Sequence, residues 1–412
     1  MISVKPFPAL RPPRDKAYLV ATRSYLSYSE TELNDKLNNN PYTFLHVINP
    51  REGWHLEHGP QKYGQVRDAF EKAWQAGTFQ QDPAPQYYIY RQEKDGNEYV
   101  GVIAGVAVAD YEAGKIKKHE KTLTRREELF TDYLETTGIN AEPVLLTYED
   151  DGELDKLFAR YLGQRPEYEF TSTDMVLHQL WLVSDTAHQQ VVEQAMARQE
   201  ALYIADGHHR CASSALLARR VDERPEPPKS DAHRYFMALL IGEEQMKVYD
   251  YNRLLRNTTD KGTPQILREL STHFLIEPRG TTPCKPEKIH EIGMFLEGNW
   301  YKLAPKMGTY DPSDPVDHLD AEILNRHVLA PIFDIHDLRS DHRVDFMAGT
   351  EGLEGLEESV RAGKHSVAFA LYPVPIEQIK KVSDAGLTMP PKSTFVEPKL
   401  RSGLTVYQIL PT

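Results

Sequence analysis

A mixed α/β (α+β) fold is predicted for this chain of 412 residues by three observations. Short apolar runs of strand type alternate with longer stretches that repeat apolar residues at helical spacing. Gly, Pro, Asn and Asp punctuate the joins, as turn chemistry requires. The composition, 40% hydrophobic and 26% charged, is that of a chain able to bury a core. At roughly 100–200 residues per domain, the length fits two or three domains. Pattern changes divide it into an N-terminal α/β segment (1–100), a central domain (101–260) and a C-terminal α/β domain (261–412).

The elements follow in order. The opening, with Pro6, Pro8, Pro12 and Pro13, reads as extended. Leu33 to Leu37 and Tyr63 to Trp74 carry helical periodicity. Tyr87 to Tyr90 and Tyr99 to Val108 read as strands paired around the turn Lys94-Asp95-Gly96-Asn97. A loop, Asp110 to Gly114, leads to Ile116 and the polar segment His119-Glu120-Lys121-Thr122. A helix is expected over Leu123 to Leu134 and a buried strand over Pro143 to Tyr148. The alternation continues with strand Val176–Val183, helix Ala187–Gln199, strand Ala201–Ala205 and helix Arg210–Arg220, ended by Pro225, Pro227 and Pro228. Strands are expected over Tyr235–Ile241 and Met246–Tyr251. Further on come helices Pro264–Leu270 and Pro286–Leu296, strand Trp300–Leu303, helices Val316–Leu329 and Leu353–Ala362, strand Ser366–Leu371, helix Ile376–Asp384 and strand Leu404–Ile409.

A formal charge of −13, from 48 basic and 61 acidic residues, argues against an extended nucleic-acid surface, which draws its affinity from many Lys and Arg contacts to phosphate. A basic pocket for one small anion is compatible with it. The start lacks the apolar core of a signal peptide, and no run is long enough to span a bilayer. Two cysteines, Cys211 and Cys284, build neither a disulfide framework nor a Cys-based zinc site. A cytoplasmic chain without membrane partners is expected.

The strongest local signal is Asp206-Gly207-His208-His209-Arg210. A short apolar strand ends at an acid and a glycine, and a helix starts at once. That arrangement aims unpaired N–H groups and the positive end of the helix dipole at one spot, a seat for phosphate. Gly207 allows close backbone approach, and His208, His209 and Arg210 add side-chain donors. Asp206 could hold magnesium or orient a histidine. Equally open are a plain N-cap role for Asp206 with surface histidines, and a metal hydrolase site, although adjacent histidines lack the i, i+4 spacing of a helical zinc motif.

Two weaker signals accompany it. In His119-Glu120-Lys121-Thr122, preceded by Lys115, Lys117 and Lys118, Glu120 could serve as general base for a hydroxyl, or be a solvated capping carboxylate. Near the end, Met389-Pro390-Pro391-Lys392-Ser393-Thr394-Phe395 with Lys399 and Ser402-Gly403 combines cations, hydroxyls and rigid backbone able to grip an anion, or forms a structural crossover. Asn252-Arg253 and Asp314 to His318 are fainter.

On these residues the chain resembles the bacterial family called domain of unknown function 1015. The landmarks are Pro6 to Pro12, Phe44 to Val47, Tyr87 to Tyr90, Lys115 to Thr122, Ala205 to Arg210, Asp314 to Asp320 and Met389 to Gly403. Ala21 to Leu26 departs from the Pro-Pro-Tyr-Asp-like segment of relatives. More distantly, Asp206 to Arg210 is similar to the phosphate-binding motif of the ParB/sulfiredoxin superfamily, which includes kinases of free serine. That resemblance implies a ParB/sulfiredoxin-like, nucleotide-binding central domain. It maps phosphate binding onto Gly207, His208, His209 and Arg210, and the hydroxyl-activating acid onto Glu120. The sulfiredoxin cysteine has no counterpart, since His208 stands in its place.

The expectation is phosphoryl transfer from ATP or ADP, with Mg2+ at Asp206, to a small hydroxyl compound, free L-serine first. Glu120, Asp206 and His209 would be catalytic, and Lys392, Ser393, Thr394 and Lys399 would help hold phosphates. The rival expectation is a nucleotide-binding regulatory or partner-binding protein of ParB type without kinase activity.

Overall fold

In a computed structural model, which describes residues 1–50, 59–256 and 260–410, the chain forms two compact units. The first comprises Met1–Lys117, Thr122–Met246 and Pro398–Thr412; the second comprises Lys118–Lys121 and Lys247–Glu397.

The first unit is built on a mixed nine-stranded sheet. Its strands are β1 (Val4–Lys5), β2 (Tyr87–Lys94), β3 (Asn97–Ala107), β4 (Ile116–Lys117), β5 (Val144–Tyr148), β6 (Tyr168–Thr171), β7 (Leu177–Val183), β8 (Leu202–Asp206) and β9 (Tyr235–Gly242). They lie in the order β4-β8-β5-β9-β3-β2-β7-β6, with β1 pairing β3. The hairpin β2–β3 closes at Lys94↔Asn97, with Asp95 and Gly96 both at positive φ (49° and 74°), as the two-residue turn demands. β5 and β9 run parallel, as do β4 and β8, while β8 and β5 are antiparallel. β5, β8 and β9 are apolar at nearly every position because both faces are covered. Helices α1 (Thr124–Thr137), α2 (Thr186–Arg198) and α3 (His208–Asp222) flank the strands. The core joins Val144, Leu146, Ile204 and Ala238 of the sheet to Val192 and Met196 of α2 and to Cys211, Ala215 and Ala218 of α3. The small residues on α3 let its backbone approach the sheet closely.

The second unit carries a six-stranded antiparallel sheet. Its strands are β11 (Tyr251–Leu255), β12 (Phe274–Gly280), β13 (Ile292–Leu296), β14 (Asn299–Pro305), β15 (Val344–Ala348) and β16 (Val367–Ala370), in the order β12-β14-β13-β16-β11-β15. A separate ladder pairs β10 (Lys247–Tyr249) with β17 (Phe395–Glu397).

Several expected elements differ here. Pro286–Leu296 is no helix: its apolar end is the central strand β13, buried at all five positions. A Cβ on Gly293 would lie 2.3 Å from the Cys284 carbonyl, so the close approach of chain segments selects glycine there. Met246–Tyr251 splits into two strands at Asp250. The helix expected from Val316 starts at Asp320 and widens to a π turn over Asn325–Leu329, just before Pro331, which has no N–H for an α-helical bond. Of Leu404–Ile409 only Tyr407–Gln408 is strand. Among the described residues no helix is long and apolar enough to cross a membrane.

Candidate functional site

The strand–glycine–helix turn at 206–210 is set by three local devices. A bulge at Ala205 shifts the β8–β5 register between Ile204 and Asp206, turning Asp206 out at the strand's carboxyl end. Gly207 adopts φ 103° and ψ 29°, a region that L side chains rarely occupy. A Cβ there would also meet the Arg210 Nε at 3.1 Å and the Val144 Cγ1 at 3.2 Å. The first helical rung is Cys211 N to Gly207 O at 3.0 Å, so the N–H groups of His208, His209 and Arg210 stand ahead of the helix ladder. α3 is fifteen residues long, with a full dipole behind that end.

Arg210 is already surrounded by acceptors. Its Nη1 lies 2.7 Å from Glu142 Oε1 and donates to the Pro143 carbonyl at 2.6 Å, and its Nη2 donates to Asp206 Oδ2 at 3.1 Å. Burial alone would depress the pKa of this guanidinium, but the carboxylates of Glu142 and Asp206 outweigh it and the net direction is up. Arg210 therefore ties the start of α3 to the entry of β5. The second oxygen of Glu142 accepts from the Ser402 hydroxyl at 3.1 Å. Ser402 in turn forms an antiparallel bridge with Thr22. The chain's last residues and the atypical Ala21–Leu26 segment thus reach this network within the first unit. Sequence reasoning had no means of finding Glu142: it stands 68 residues from Arg210, in a loop without periodicity.

His208 is buried and His209 half-buried. The His209 Nδ1 is buried without a hydrogen-bond partner, and its ring lies 6.4 Å from that of Phe130 on α1, itself 43% exposed. Burial, then the charge of Arg126, lowers the His209 pKa, with Glu127 opposing, so the imidazole is neutral near pH 7. Arg126, Glu127 and Phe130 are neighbours of the turn that sequence reading did not single out.

The other candidates are divided between the two units. Lys399 is exposed on the first unit. Glu120 falls in Lys118–Lys121, part of the second unit, where the His119 carbonyl accepts from Met389 N at 2.8 Å. Lys392, Ser393 and Thr394 also belong to the second unit. Lys392 is exposed, with Nζ 5.5 Å from the Tyr251 ring, and Ser393 is buried, its hydroxyl donating to Pro390 O at 2.7 Å.

The turn and its donor set suit an anion. The His209 Nδ1, buried without a hydrogen-bond partner, and the N–H groups at the start of α3 are donors of the kind an anion takes. The Asp206 carboxylate, 46% exposed with one oxygen near Arg210, is of the chemistry magnesium takes.

The family model described as "Protein of unknown function (DUF1015)" matches residues 4–322. No curated protein matches the chain. Among solved structures, a free serine kinase in complex with AMP is similar at 12% identity and a TM-score of 0.36, over 74% of this chain and 91% of that one. SbnI with a C-terminal truncation, from Staphylococcus aureus, is similar at 13% identity and a TM-score of 0.38, over 72% and 82%. A conserved hypothetical protein from Pyrococcus furiosus is similar at 13% identity and a TM-score of 0.35, over 74% and 95%.

Proposed function

The chain belongs to the DUF1015 family of proteins of unknown function, and for it we propose nucleotide-dependent phosphoryl transfer to a small hydroxyl compound, free L-serine being the first candidate. The observation that carries the reading is the turn at Gly207, whose φ of 103° leaves helix N–H groups facing outward beside the neutral His209. Serine comes first because the Asp206–Arg210 motif is similar to that of free serine kinases.

In this scheme the N–H groups of residues 208–210 bind the β- and γ-phosphates of ATP, or the α- and β-phosphates of ADP. His209 donates to a phosphate oxygen through Nδ1, and the exposed face of Phe130 takes the base. Arg210 positions rather than binds: paired to Asp206 and Glu142, it holds the turn in shape. Asp206 is the residue to hold Mg2+, which would neutralise charge on the phosphates. The acceptor hydroxyl attacks the terminal phosphorus as its proton passes to a carboxylate, and the bond to the bridging oxygen breaks, releasing the shortened nucleotide. Glu120 is assigned that carboxylate by its motif, three residues beyond the carboxyl end of β4. Lys399 is assigned a closing role over the phosphates.

Product analysis tests the reading. Full-length protein incubated with ATP or ADP, Mg2+ and L-serine or other small alcohols is expected to yield a phosphorylated acceptor. Glu120→Gln keeps the shape and should retain nucleotide binding while losing transfer. Nucleotide turnover without any phosphorylated acceptor would move the assignment to the regulatory switch class, and absence of nucleotide binding would end both.

A further inference from the structure

The second unit holds a buried cation with no anion beside it. Arg253, at the middle of β11, is 0% exposed. Its Nη1 donates to the Tyr251 carbonyl, and its Nη2 reaches the Pro391 carbonyl at only 3.4 Å. Its Nε is buried and has no hydrogen-bond partner. No carboxylate pairs with it among the described residues; its guanidinium carbon lies over the Phe346 ring, 5.2 Å from the centroid. Burial accordingly lowers its pKa to about 10. Unpaired buried charges are rare because desolvation is severe, and a buried guanidinium is normally matched by a carboxylate or a ligand.

The open donors are the right pair. Nε and Nη2 form the side edge of the guanidinium, two parallel N–H groups spaced for the two oxygens of one oxyanion. Among the described residues the one hydrogen-bond acceptor at that edge is Pro391 O, through a long bond. The loop supplying that carbonyl is under strain of its own: Lys392, next to Pro391, stands at φ 57°, a conformation costly for a residue with a Cβ. Its ammonium is exposed beside Tyr251, a second cation at the rim. Two faint sequence signals, Asn252-Arg253 and the Pro390–Thr394 loop, thereby meet in one place.

From this geometry we infer a binding site for a small carboxylate, which takes the Nε–Nη2 edge of Arg253 while the Pro391–Lys392 loop gives way and Lys392 closes over the rim. A carboxylate is favoured over phosphate on charge. One buried guanidinium neutralises one negative charge, and Lys392, exposed to water at the rim, is screened and offsets little of a second. The site is independent of the phosphoryl-transfer reading.

The test is titration of full-length protein, labelled with 15N-arginine, with acetate, lactate, inorganic phosphate and chloride. The carboxylates are expected to move the Arg253 Nε–H resonance and to raise the melting temperature by roughly 2–4 °C at saturating levels. Arg253→Met should abolish that thermal response, and Lys392→Ala, at an exposed position, should weaken apparent affinity roughly two- to fivefold. Should Arg253→Met not fold, the wild-type resonance decides alone. A response to phosphate but not to carboxylates overturns the assignment, and so does a resonance that no anion moves.

Discussion

Arg210 in the first unit and Arg253 in the second are both withdrawn from water, yet their surroundings are opposite. Arg210 faces two carboxylates and a carbonyl within 3.1 Å. Arg253 has two carbonyls, one of them at 3.4 Å, and an orphan Nε. Their pKa values part accordingly, Arg210 upward under Glu142 and Asp206 despite its burial, Arg253 downward to about 10 under burial alone. What a buried arginine can bind is decided by what already binds it. By sequence Arg210 is the expected anion-gripping residue, standing in a phosphate motif; in the structure its guanidinium is paired to Glu142 and Asp206, whereas that of Arg253 meets no carboxylate among the described residues.

The contrast can be broken by substitution. The largest effect is expected from Arg210→Ala, which leaves Glu142 and Asp206 facing each other without a counter-charge. Complete loss of a partner from a fully buried pair costs about 3–5 kcal/mol; with these carboxylates a third to a half exposed, about 2–3 kcal/mol is expected in urea unfolding. A stability change below about 0.5 kcal/mol, with nucleotide binding lost, would return Arg210 to a ligand-gripping role. Next comes Gly207→Ala, which forces a side chain into φ 103° and against the Arg210 guanidinium: about 1–3 kcal/mol is expected, together with loss of any nucleotide-dependent thermal shift.

A third arginine sharpens the comparison. Arg401, 5% exposed, is paired by Nη2 to Asp174 at 2.7 Å. Burial would raise the Asp174 pKa, but Arg401 and the Ser172 hydroxyl hold it at about 2, below the usual 3.8. A depressed carboxyl contributes its stability above the unfolded value and loses it as pH falls toward the folded one, so the window is about pH 4 to 2. Asp174→Asn should erase that acid-sensitive contribution, at most about 2 kcal/mol, and turn Arg401 into a cation like Arg253. The smallest effect belongs to Arg253→Met. Without ligand, removal of an unpaired buried charge should leave stability within about 1 kcal/mol of the parent, or raise it. A loss above about 3 kcal/mol would show instead that the carbonyl bonds of Arg253 support the fold.

Legibility followed the range of the forces involved. The β2–β3 hairpin was readable because its turn, Asp95-Gly96, and its apolar, β-prone strands lie within a few residues of one another. The turn at Gly207 was readable for the same reason: strand, glycine and helix start are contiguous. Pro286–Leu296 misled because a run of five residues, four of them hydrophobic, reads alike as buried helix or central strand, and only the neighbours β14 and β16 choose between them. Val344–Ala348 escaped notice because three of its five side chains are only half-buried, so its apolar signal is weak.

By itself, the amino-acid sequence determined the mixed α/β class, the hairpin and the strand–glycine–helix turn, all consequences of local backbone preference and short-range periodicity. The long-range partners of charged side chains were decided by tertiary structure. Glu142 reaches Arg210 across 68 residues, and Pro391 reaches Arg253 across 138. Desolvation and Coulomb attraction act through space, and no spacing along the chain encodes which arginine will meet carboxylates far along the chain and which will meet none.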